Sequence, residues 1–173
     1  MHAPAPLAPQ APPAASWSPR PGTDPVIVDT CVLVASLPTA AGPGPWSCIV
    51  EAMRGGGLAF CVSEALMREY RDVLARPAIA RRLQLGEDGV ARLLEDLARA
   101  AQHRVPAPIA RDSRPPPDPG DAHLWALLLS DARLRLLTLD RRLLERSRMR
   151  QRVITPEAWW RERSGATGQG RFP

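Results

Sequence analysis

The sequence predicts an α/β domain with a central, mainly parallel sheet covered on both faces by helices. Three observations carry this. Short runs of β-branched and aliphatic residues recur at Val26-Ile27-Val28, Leu58–Val62, Leu134–Leu139 and Val153-Ile154. Such runs, bounded by Pro, Gly or polar breaks, read as buried strands. Segments with helical spacing of apolar residues lie between them, and strands alternating with helices imply a parallel sheet. Two of the strands also run directly into an aspartate, Asp29 and Asp140. Asp is disfavoured inside strands, but the carboxyl edge of an open α/β sheet is where ligands bind.

In chain order, residues 1–23 hold a Pro- and Ala-rich stretch with one charged side chain, Arg20. It lacks the apolar surface to order itself and reads as a disordered tail. The domain then spans 24–163, and 164–173 reads as a flexible C-terminal tail. After Val26–Val28 and Asp29 comes a second apolar run, Val32-Leu33-Val34-Ala35, and a Pro/Gly loop from Leu37 to Pro45. Trp46 to Arg54 is a short helix ended by three glycines. Leu58 to Val62 is the second strand. Ser63 caps a helix expected to reach about Arg76, where Pro77 stops it. Gly86 to Ala101 is amphipathic through Val90, Leu93, Leu94 and Leu97. A Pro-rich loop spans Pro106 to Pro119. Asp121 opens an apolar helix, and Leu134 to Leu139 is a strand, interrupted by Arg135, that ends at Asp140. Arg141 to Arg150 is a basic helix or loop, Val153-Ile154 is the last strand, and Pro156 starts the final helix.

Composition narrows the chemistry. The chain has 173 residues, a net charge of +5 and a pI of about 10.3, which suits a nucleic-acid partner. All 23 basic residues are Arg. Without Lys, a Walker P-loop and Schiff-base catalysis are both excluded. Three scattered cysteines fit a reducing cytoplasm better than a disulfide framework or a zinc knuckle. No apolar run is long enough to span a membrane, and the N-terminus lacks a signal-peptide pattern. The three histidines are dispersed, and no serine sits in a nucleophile elbow, so any chemistry falls to acids.

Four acids stand out. Asp29 and Asp140 share a sheet edge if their strands are parallel neighbours. Glu69 lies roughly 40° outside the apolar arc of Leu66, Met67, Tyr70, Val73 and Leu74, beside Val73, whereas Glu64 and Asp72 point further away. Asp121 sits one turn before Leu124-Trp125, on the side of Leu124 and Leu128, at a helix start where a carboxylate is favoured. Asp118 reads as a turn or cap residue at the edge of the same group. Capping accounts for Asp29 and Asp121 equally well when each is taken alone. Converging carboxylates repel, and Mg²⁺ or Mn²⁺ with all-oxygen ligands relieves that repulsion. Such ions lower the pKa of a bound water and neutralise a transferring phosphoryl group.

Read in order, Val-Ile-Val-Asp29-Thr, Ser-Glu-Ala-Leu-Met-Arg-Glu69-Tyr-Arg-Asp-Val-Leu-Ala-Arg-Pro, Asp118-Pro-Gly-Asp121 and Leu-Leu-Thr-Leu-Asp140 resemble PIN-domain proteins. Within that family they are most similar to the VapC-like toxins of bacterial toxin–antitoxin pairs. The resemblance covers about residues 25–161. It implies a three-layer α/β/α sandwich and a Mg²⁺- or Mn²⁺-dependent ribonuclease acting on single-stranded RNA. It maps an acidic catalytic and metal site onto Asp29, Glu69, Asp121 and Asp140, with Asp118 as a further metal ligand. Thr138 and Arg142 are taken as substrate contacts. A cognate antitoxin is the implied partner, and a homodimer is an open option. Three positions depart from the family pattern: Cys31 replaces Asn, Leu139 replaces Gly, and Arg142 replaces a second acid. The competing readings are a degenerate PIN domain that binds RNA or protein without cleaving, and an acid-based phosphohydrolase or phosphoacceptor. Against the latter, position 31 is not Asp and there is no Lys.

Overall fold

The computed structural model describes residues 24–83, 85–106, 109, 116, 118–146, 149 and 151–163. Both expected tails and most of the Pro-rich loop lie outside the described residues. Strand β1 (Val26–Val28) is wholly buried and pairs in parallel with β4 (Arg135–Leu137) in the register Ile27 to Leu136. On its other side β4 pairs in parallel with β5 (Val153–Ile154). A second pair, β2 (Cys61–Val62) and β3 (Gln102–His103), is also parallel. It joins β1 through a parallel bridge between Val26 and Phe60, where Val26 N donates to Ala59 O at 3.0 Å. The strand order is therefore β3-β2-β1-β4-β5, with β1 in the middle.

Parallel neighbours need crossovers, and helices supply them. Between β1 and β2 run α1 (Thr30–Ser36) and α2 (Ser47–Arg54). Between β2 and β3 run α3 (Glu64–Leu74), α4 (Pro77–Leu83) and α5 (Glu87–Ala100). A 3₁₀ turn (Pro119–Asp121) leads into α6 (Ala122–Leu129) before β4. Helix α7 (Arg141–Arg146) links β4 to β5, and α8 (Pro156–Arg163) follows. Helices α1, α2, α3 and α5 pack on one another, while α6 packs on β1 and β4. The result is the mixed α/β/α sandwich that the sequence predicts, with parallel strands. Ile27, Phe60, Leu66, Tyr70, Leu97, Trp125 and Leu136 sit at its centre, each 1% exposed or less. Among the described residues no helix is long and apolar enough to cross a membrane.

The run Val32–Ala35, left unassigned by its composition, is helical: Asp29 caps it and turns the chain immediately after β1. Three local differences from the sequence reading have physical causes. Pro77 does not simply stop a helix. Helix α3 ends at Leu74, and Pro77 opens α4, a position where its missing N–H and fixed φ cost nothing. Strand β3 has two exposed residues and no apolar signature. Arg135 lies inside β4 rather than interrupting it, because its guanidinium reaches out to pair with Glu162 on α8.

Candidate active site

The carboxyl ends of β1 and β4 are tied together by side chains. Asp29 N donates to Leu137 O at 2.9 Å, extending the ladder one residue past β1. Asp29 then leaves the sheet as the N-cap of α1, where its Oδ1 accepts from Cys31 N at 3.3 Å. Its other oxygen, Oδ2, accepts from the Thr138 hydroxyl at 2.5 Å. The same hydroxyl oxygen accepts from Asp140 N at 2.9 Å. Thr138 thus joins the two acids across neighbouring strands. Asp140 in turn accepts from Arg142 N at 2.6 Å through Oδ1, which starts α7. Cys31 contributes as well: its Sγ accepts from Leu139 N at 3.3 Å. A thiol at this position therefore still fastens the start of α1 to the end of β4.

Glu69 and Asp121 arrive from other elements. Ser63 caps α3 by accepting from Leu66 N at 3.2 Å. The phase of α3 is locked by Tyr70, which is fully buried and donates its hydroxyl to the carbonyl of Val28. That bond places Glu69, one residue earlier, beside the end of β1. Asp118 caps the 3₁₀ turn through Gly120 N at 2.9 Å, and Asp121 stands at the junction with α6. His123, two residues on, faces α3. Its Nε2 lies 2.5 Å from Glu69 Oε2, an ion pair when the imidazole is protonated.

The electrostatics show four acids in one field. Burial pushes the Asp29 carboxyl above its usual range, partly offset by the Thr138 hydroxyl, with the Glu69 charge adding a smaller upward push. Asp121 is pushed up to about 6, first by burial and then by the charges of Asp29, Asp118 and Asp140. Glu69 goes the other way, held below the usual range chiefly by His123, whose own pKa is raised by that contact. Burial lifts the Cys31 thiol to about 12, so it is a neutral hydrogen-bonding group and not a nucleophile.

Asp29, Glu69, Asp121 and Asp140 all line one open cleft of about 470 Å³. Its remaining walls come from α1 and from the corner between α3 and α4, which adds Arg76 and Arg82. The other three expected site residues stand elsewhere. Asp118 is not in the cleft wall; its Oδ2 lies 3.5 Å from Arg142 Nη1 in an exposed pair at the rim. Arg142 therefore meets a carboxylate rather than the cleft floor. Thr138 corrects the expectation of a substrate contact. It has no exposed surface, and its hydroxyl is committed to Asp29 and Asp140. Its work is to position those acids.

Sequence reading missed His123, Arg76 and Arg82. Arg76 and Arg82 carried no signal, because the corner that brings them to the cleft, between the end of α3 and the start of α4, is not marked in the sequence. His123 carried none within its own helix, because its partner is on α3.

The donor chemistry fits a hard divalent cation. All four acids offer oxygen, and their mutual repulsion at Asp121 is what such an ion would relieve. Among the described residues no three His, Cys, Asp or Glu side chains are grouped as a ready ligand set. A direct shell of one or two carboxylates, completed by waters and substrate phosphate, is the usual manner of Mg²⁺.

A parallel α/β sheet with carboxylates from four elements gathered at its carboxyl edge defines an acid-centred α/β domain with a cleft at the strand ends, the edge where open α/β sheets bind ligands. Residues 25–142 match the family model described as the PIN domain, and the chain belongs to that family. PIN domains are generally nucleases, that is, phosphodiester hydrolases, and the chain has their fold. No curated protein matches the chain.

Proposed function

We propose that this protein is a Mg²⁺- or Mn²⁺-dependent endoribonuclease that cuts single-stranded RNA, the cytoplasmic toxin of a toxin–antitoxin pair held inactive by a cognate antitoxin. The observation that carries the nuclease reading is the cleft itself: four carboxylates share it, and Asp121 is raised to about 6 by burial and by its neighbours. The toxin reading rests on the ordered set of motifs around Asp29, Glu69, Asp121 and Asp140 and on their resemblance to that branch of the family.

Asp29, Asp121 and Asp140 would hold the cation. When bound, such an ion lowers the pKa of water and neutralises charge on the phosphoryl group. The chain's own residues prepare the rest. Thr138 fixes the Asp29 and Asp140 carboxyls, and His123 keeps Glu69 ionised at the cleft wall. Arg76 and Arg82 attract the phosphate backbone to the acids.

A second reading, binding without cleavage, is favoured by the departures at Cys31, Leu139 and Arg142, the last of which stands where the family pattern has a second acid and pairs with Asp118 at the rim. Cleavage of a labelled single-stranded RNA, titrated with Mn²⁺, separates the two. Asp29→Asn and Glu69→Gln are each expected to lower the rate by roughly 10²-fold or more, the scale for losing a group that stabilises charge at a reaction centre. Glu64→Gln, one turn away and exposed in a pair with Arg68, should match the wild type. Binding without any Mn²⁺-dependent cleavage would establish the second reading.

A further inference from the structure

The acidic cleft does not end at Arg82. That side chain also lines a second groove of about 380 Å³, and Ala35 is likewise common to both. The second groove is built from the end of α1 and the loop after it, with Leu37, Thr39, Pro43 and Pro45 in its walls. We propose that it is a base-binding subsite for the nucleotide next to the cleaved phosphate, with Arg82 holding the phosphate between the two. This rests on the ribonuclease reading.

Three features support that occupant. The walls are largely apolar, as a flat nucleobase requires, and the volume falls within the roughly 300–1,000 Å³ typical of small-ligand sites. The exposed Pro43 and Pro45 rings offer non-polar surfaces for a base face, while the Thr39 hydroxyl, held in place by donating to Gly42 O at 3.5 Å and accepting from Ala41 N at 3.2 Å, keeps one acceptor lone pair for its edge. The groove is also preformed. Thr39 and Gly42 exchange backbone hydrogen bonds of 2.8 and 2.9 Å across a tight turn, with Gly42 at φ +117°. Gly44 is seated so closely on the end of α1 that a Cβ there would come within 2.3 Å of Ala35 O.

Charge completes the match. Among the described residues neither Arg76 nor Arg82 has a carboxylate within ion-pair distance, although ten other ion pairs are formed. A cation left available between an acid-lined cleft and an apolar groove suits a phosphate flanked on one side by a cutting site and on the other by a base. A double helix keeps its bases stacked inside, so this geometry selects an unstacked strand.

The test is binding of a short single-stranded RNA in EDTA, followed by fluorescence anisotropy, with an abasic nucleotide placed at each position in turn. In the wild type one abasic position, adjacent to the mapped cleavage site, should weaken binding about tenfold, the scale of one lost base-stacking contact. Ala41→Glu, which places a carboxylate in the groove from an exposed loop position, should weaken binding to the intact RNA and abolish the penalty at that position. Arg82→Ala should lower the salt dependence by about one counterion, and Arg81→Ala, on the outside of α4, by less. Thermal melts confirm that each variant is folded. If the wild type binds and cleaves RNA but the abasic scan is flat and Ala41→Glu is silent, the subsite is overturned and the nuclease reading stands. If the wild type neither binds nor cleaves RNA, both fall together.

Discussion

Asp121→Asn is expected to abolish RNA cleavage and, in EDTA at pH 7, to melt later than the wild type. The two effects share one cause. Asp121 ionises near 3.8 in an unfolded chain but at about 6 in the fold, because burial and the charges of Asp29, Asp118 and Asp140 oppose its ionisation. Between those values the folded state holds the extra proton. Its stability therefore falls as pH rises through that window and stays reduced above it. A tenfold change in proton affinity between the unfolded and folded states corresponds to about 1.4 kcal/mol. Asp121 is partly exposed, and solvent screening reduces the net penalty to roughly 1 kcal/mol. Relieving it with an amide should raise the melting temperature by about 2–4 °C. Below pH 4 the two proteins should melt together. Millimolar Mn²⁺ should stabilise the wild type, since a ligand of the native state alone shifts unfolding, and should stabilise Asp121→Asn much less. A variant that melts earlier than the wild type in EDTA at pH 7 would mean that these carboxylates do not repel one another.

How far the sequence reached depends on where each residue finds its partner. Asp29 and Asp140 were legible because the two runs before them are each strand-like, and parallel pairing of β1 with β4 brings their ends side by side. Glu69 was legible because the apolar arc of α3 sets its phase, and that arc belongs to one helix. Asp121 was legible as a cleft residue and Asp118 as a turn cap, since the helix dipole and the Asp-Pro step are both local, but the expectation that Asp118 also joins the metal ligands fails, because its other oxygen faces Arg142 outside the cleft. The failures are all non-local. Val32-Leu33-Val34 is nearly as apolar and β-branched as β1, so the run alone assigns neither strand nor helix, and the Asp29 cap stands at the start of the helix it forms. Nothing in the sequence around Pro77 distinguishes the end of one helix from the start of the next. The dispersed histidines gave no sign of a role for His123, because the carboxylate that claims it comes from α3. The expectation that Thr138 contacts substrate fails because its burial follows only once α1, β1 and β4 are assembled around it.

Thr138→Val should lower both stability and cleavage, and the pH profile should reveal why. Valine keeps the shape of threonine and removes only the hydroxyl. Asp29 Oδ2 then loses a 2.5 Å donor, and Asp140 N loses a 2.9 Å acceptor. Leaving such buried groups without partners costs about 1–3 kcal/mol each, so the melting temperature should fall by several degrees. The acids also lose the link that sets their separation, and misplacement by about 1 Å can cost roughly 10²-fold in rate. The distinguishing readout is the acid limb of the rate profile. The hydroxyl opposes the upward push that burial exerts on the Asp29 carboxyl. Without it, Asp29 should need a higher pH to ionise, and the acid limb should move upward. Thr138→Ser keeps the hydroxyl and loses only a methyl group, so it should return the limb to its wild-type position and recover most of the rate. If Thr138→Val melts earlier but its acid limb stays where the wild type has it, Thr138 supports the fold alone and does not set the state of Asp29.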